Sequence, residues 1–218
     1  MSLRKISTAA VAATLATTAA ALLLAGCSSS PSSATTTPPT PAATTSAAPG
    51  APATGWQSPA GTWDLAPDMS AAAAKAGLEM LGQEMLQVHY HAHLDVIVDG
   101  KQIVVPPSIG IDQVRNKISP LHTHTPDGIL HIESAADTPF TLGQAFTEWG
   151  EALSPTQVGP KAVGTDEALH VFVNGKEVTT DPTRIVLHSH DEIAVWVGPK
   201  STTPQVPASF PWTTNYPQ

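Results

Sequence analysis

Two stretches of this chain, residues 93–103 (HLDVIVDGKQI) and 168–178 (ALHVFVNGKEV), align without a gap and share one design. In each, apolar side chains recur at every second position and then meet Asp-Gly or Asn-Gly. A period of two sends successive side chains to opposite faces of a strand. Asp-Gly and Asn-Gly suit the two-residue type I′ turn, whose central residues both need positive φ. The pattern therefore predicts two β-hairpins with one core-facing side each. LHTH at 121–124 is echoed by LHSH at 187–190, which extends the likeness to a duplicated hairpin-plus-strand unit, although hairpin chemistry alone accounts for the shared V-[DN]-G-K.

Helical signals are fewer. In DMSAAAAKAGLEMLGQEMLQ, Asp68 is a capping candidate and Leu78, Leu81 and Met85 recur at helical spacing, with Gly77 and Gly82 as weak points. In FTLGQAFTEWGEAL, Thr141 and Gln144 fit a capping box, and Leu142, Ala145, Phe146, Trp149 and Leu153 form one apolar stripe. That stripe reads as core packing. The resulting order of strands and helices predicts an α+β domain over 61–200, with a largely antiparallel sheet built from the two repeated units and one or two packed helices.

HDEIAVWVG, 190–198, resembles the closing strand of β-grasp domains, where an acidic turn precedes an apolar alternation. LHTH with GILHIE, then FTLGQAFTEWG, then VFVNGK resemble the motifs of a group of bacterial extracytoplasmic proteins without an established activity. The resemblance runs over about residues 89–198 and implies the domain boundaries only.

Residues 1–26 read as a secretory leader: Arg4 and Lys5 precede an Ala- and Thr-rich apolar run that stops at Leu24-Ala25-Gly26-Cys27. That ending resembles the lipobox of bacterial lipoproteins, which implies cleavage before Cys27 and lipid on its thiol. The expected address is the cell membrane, lipid-anchored on its extracytoplasmic face. From Cys27 to Ala60 the chain is rich in Pro, Ser, Thr and Ala and carries no charge, which predicts a disordered tether. Residues 201–218 read as a Pro-rich tail. Without the leader, eight basic residues face eighteen acidic ones, and that balance disfavours nucleic acid as a partner.

Cys27 is the single cysteine, so the predicted domain has neither a disulfide nor a thiolate ligand. Histidine is the conspicuous alternative: eight of nine fall into the groups 89, 91 and 93; 122, 124 and 131; and 188 and 190. His-x-His on a strand puts two imidazoles on one face, with alpha carbons about 6.6 Å apart. His122, His124 and His131, with Glu133 as fourth ligand or outer partner, form the first candidate metal site, suited to Zn(II) or Cu(II). The competing reading of HTH is a hydrogen-bonded turn. His89, His91 and His93 are a second candidate group whose plainer reading is a solvated strand face. His188 and His190 read as an exposed turn, and His170 as unremarkable.

Three functions are compatible with these residues. One is a lipid-anchored extracytoplasmic module binding a divalent metal through its histidines. Another is a metal-dependent hydrolase or lyase with Glu133 as general base. The third is a protein-interaction domain without metal, hinted at by the aromatic tail SFPWTTNYP. Because H-E-x-x-H, a nucleophile motif and a phosphate-binding glycine loop are all missing from the sequence, the binding module is favoured over the enzyme.

Overall fold

A computed structural model describes residues 61–216. The leader, Cys27 and the tether to Ala60 lie outside the described residues. In chain order the elements are α1 (Met69–Ala76), β1 (Val88–Val98), β2 (Lys101–Ile103), β3 (Ile111–Asp112), β4 (Lys117–Ile118), β5 (Leu121–His122) and β6 (Ile129–Ser134). After α2 (Leu142–Trp149) come β7 (Leu153–Ser154), β8 (Gln157–Val158), β9 (Lys161–Ala162), β10 (Glu167–Val173), β11 (Lys176–Val178) and β12 (Glu192–Pro199).

The fold is α+β, centred on a sheet of order β11-β10-β12-β1-β6-β5, with β2 also paired to β1. Its neighbours are antiparallel except for β1 and β12, which run parallel from His93↔Glu192 to Val98↔Val197. Both expected hairpins form: Val98 faces Lys101 and Val173 faces Lys176. Their turn residues have the required positive φ, 50° and 75° at Asp99-Gly100 and 53° and 72° at Asn174-Gly175. The echo further on does not extend to structure. Leu121-His122 belongs to β5, whereas His188 and His190 lie outside any strand.

One sheet face carries the apolar core, with Ala92, Leu94, Val96, Leu130, Ile132, Val171, Ile193 and Val195 packed beneath α2. The α2 stripe is buried as its spacing predicts, and Thr141 and Gln144 close their capping box before Gly150 ends the helix. Truncating Trp149, which is fully buried, would cost about 3–5 kcal/mol.

The first helix is shorter than the sequence pattern suggests. Asp68 caps it by accepting from the Ala71 N–H, but it stops at Gly77, which adopts φ 73° and whose N–H reaches back to close the last turn. Leu78 then packs against the core, and Leu81 exchanges backbone hydrogen bonds with Ile118. The apolar spacing of 78–85 thus serves an irregular segment held by one β-bridge between Leu81 and Ile118. Among the described residues no helix is long and apolar enough to cross a membrane.

Candidate metal centre

The second sheet face carries histidine. Antiparallel register sets His91 opposite His131 and His89 opposite Glu133 across β1 and β6, while His122 of β5 pairs with the same His131. Directly opposed residues share a face, so His91, His131 and His122 form a row across three strands, and His89 and Glu133 form the next row. His124, two residues beyond His122, folds back so that its ring lies 4.6 Å from that of His131 and 4.7 Å from that of His122. His91 meets His131 at 4.7 Å and His89 at 4.8 Å. The two candidate groups are one continuous basin.

Within it, one ligand atom each from His122, His124 and His131 lie mutually within 4.8 Å, and so do those of His89, His91 and Glu133. Glu84 closes a third such set with His122 and Glu133. It stands in the irregular segment before β1, with Oε1 3.5 Å from Nε2 of His124. No periodicity marked it, and only its place in the fold identifies it.

His122 is oriented from behind. Its Nδ1–H donates to the Ser119 carbonyl at 2.8 Å, which leaves Nε2, facing His124, as the nitrogen that could hold a metal. Gly110 makes the close approach possible: at φ 71° it sits where a Cβ would collide with the Leu121 carbonyl. Burial, reinforced by neighbouring imidazoles, lowers the pKa of His122 to about 4 and that of His131 to about 3. Both are neutral at pH 7, as ligands must be. Burial and the nearby Glu84 raise Glu133 to about 7.

Two buried polar atoms support the fit to a cation. His131 Nδ1 and Glu133 Oε2 have no hydrogen-bond partner, and Glu133 Oε1 stands 3.4 Å from His89 Nε2 and 3.6 Å from His131 Nδ1. These separations are long for hydrogen bonds. Unpaired buried polar atoms are costly, and a coordinated ion would satisfy both.

The plainer reading of His89, His91 and His93 does not hold, because His91 and His93 are buried. The C-terminal segment lies over this face: Phe210 stacks on His93 and Tyr216 meets His91. His93 also leaves the metal group. Its Nδ1–H donates to Glu192 at 2.9 Å and its Nε2–H to the Asp127 carbonyl at 2.8 Å, so both ring nitrogens are engaged. Burial opposes its charged form, yet the hydrogen bond and charge of Glu192 carry its pKa above the usual value. Although His93, Asp95 and Glu192 also have ligand-like spacing, they form a buried ion pair with Asp95 held by Gln102.

His188 is an exposed residue 3.3 Å from Asp191, as its turn suggests. His190 differs, because its ring stacks on Trp212 and its Nε2–H donates to the Tyr216 carbonyl. His170 pairs with Glu177 at 2.6 Å. Comparisons with protein families, with curated proteins and with solved structures find no match to this chain.

Proposed function

We propose that this chain is a lipid-anchored extracytoplasmic module that binds a divalent metal ion, Zn(II) or Cu(II), through His122, His124 and His131. The observation that carries the reading is the convergence of three imidazole donors within 4.8 Å, two of them neutral at pH 7 through burial. Nitrogen ligands without thiolate suit these two metals. Glu133 lies among the donors and between two imidazoles, which favours a ligand over the general base that a hydrolase would need. The C-terminal aromatic residues cover their own sheet face, so they lend no support to an interaction domain without metal. Anchoring rests on the lipobox-like LAGC ending at Cys27.

The test is the metal content and thermal stability of the full chain, purified in detergent without a histidine tag. Zn(II) at 100 times its dissociation constant should add about 2.7 kcal/mol to stability for each ion bound, and His122→Ala with His124→Ala should remove the share of that gain that comes from this donor set. Absence of both bound metal and a thermal response to Zn(II) or Cu(II) would refute metal binding. Intact mass of the wild type should show acyl chains that Cys27→Ala lacks.

A further inference from the structure

We infer that the basin binds two divalent ions, with Glu133 as the carboxylate shared between them; this deepens the metal-binding reading and rests on it. His122, His124 and His131 form one donor set, and His89, His91 and Glu133 form another, with no residue in common. Each set is compact enough to supply three ligands to its own ion. Together with Glu84, the basin offers five imidazoles and two carboxylates, whereas one tetrahedral ion takes four ligands.

The sets stand side by side because they come from neighbouring strands. His91 and His131 are direct cross-strand partners with ring centroids 4.7 Å apart. Two cations at such a separation repel, and an anionic group between them offsets the repulsion. Glu133 is in that place. Its Oε1 lies 3.4 Å from His89 of one set and 3.6 Å from His131 of the other, and its Oε2 is buried without a hydrogen-bond partner. The set of Glu84, His122 and Glu133 spans the boundary, so Glu133 belongs by distance to both sides. Two-metal sites hold their ions about 3.5–4 Å apart, a separation that neighbouring strands, about 4.7–4.9 Å apart, can supply.

The experiment is equilibrium dialysis of the untagged full chain against Zn(II), with bound metal measured by mass spectrometry. His89→Ala and His124→Ala are the chosen variants because both side chains are partly exposed, and circular dichroism checks that each folds. Two ions in the wild type and one in each variant are expected. A single ion in the wild type, kept by His89→Ala and lost by His122→Ala with His124→Ala, would overturn the shared site and leave the metal-binding reading intact. Two ions persisting in His89→Ala would place the second ion elsewhere and equally overturn the inference. No bound ion in the wild type would defeat both.

Discussion

Phe210 stacks on His93 with ring centroids 4.0 Å apart and planes inclined by 21°, which fastens the C-terminal segment to the histidine face of the sheet. Trp212 continues the cover by stacking on His190 at 4.4 Å, and His190 in turn donates to the Tyr216 carbonyl. The segment is therefore a strap with three points of attachment. Each aromatic pair is worth about 0.5–1.5 kcal/mol beyond the area it buries. Phe210→Ala with Trp212→Ala should lower stability by a few times that amount in a urea titration. It should also speed the removal of bound metal by a chelator, since the cover over His91 would loosen. An unchanged rate of removal would show that the strap does not restrict access.

His93 should behave unlike its neighbours on β1. Because it holds buried Glu192, His93→Ala leaves that carboxylate without its partner, and breaking a buried pair in this way costs about 3–5 kcal/mol. His89 is partly exposed, and His89→Ala should cost under about 1 kcal/mol, as surface substitutions commonly do. Metal stoichiometry should respond in the opposite order, falling with His89→Ala and holding in whatever fraction of His93→Ala remains folded. A His93→Ala variant of wild-type stability would contradict the ion-pair assignment.

Glu148 gives the stability of the domain a pH dependence. It is fully buried in α2, and burial raises its carboxyl to about 8. Unfolded, the same group titrates at about 4.3. Between these values the folded chain keeps a proton that the unfolded chain releases, so stability is fullest below the lower pKa and falls as pH rises towards the upper one, by about 1.4 kcal/mol per unit at most. Glu148→Gln should flatten that slope, and its melting temperature should exceed the wild type by a margin that grows from pH 5 to pH 8. A margin independent of pH would show that Glu148 does not hold a proton in the fold.

Local chemistry explains why the hairpins and α2 were legible in the sequence. Asp99-Gly100 and Asn174-Gly175 prescribe their own turn, and Thr141 and Gln144 satisfy each other's backbone within four residues. Beyond α1 the spacing of Leu78, Leu81 and Met85 misled, because apolar periodicity carries no information about what Gly77 does to the backbone. His122, His124, His131 and Glu133 were legible as a group because His-x-His and His-x-Glu place side chains at every second residue, although only His122, His131 and Glu133 lie on strands and His124 reaches the others by folding back after β5. Their union with His89 and His91 depends on the register of β1 against β6, and register is a long-range property. Glu84 and the aromatic strap were hidden for the same reason: neither has a periodic pattern, and each reaches the basin only through the path of the folded chain.

Thr123, the middle residue of HTH, holds the two flanking histidines by facing away from the histidine basin. It is fully buried, its hydroxyl donates to the Pro106 carbonyl at 2.8 Å, and its Oγ1 accepts from the Ile109 N–H at 3.1 Å. The backbone joins in, since Ser108 N–H donates to the Thr123 carbonyl and Thr123 N–H to that of Ile109. These four bonds fix the backbone on which His122 and His124 turn towards each other, so Thr123 is a positioning residue. Thr123→Val keeps the shape but leaves the buried Ile109 N–H without its acceptor and the half-buried Pro106 carbonyl without its donor, at about 1–3 kcal/mol for the buried group left unsatisfied. The variant should bind Zn(II) more weakly through misplacement of His124, while Thr123→Ser, which keeps the hydroxyl, should recover most of the affinity. A merely structural role would lower the melting temperature and leave the affinity of the folded fraction unchanged, so isothermal titration of both variants below their unfolding transitions separates the two roles.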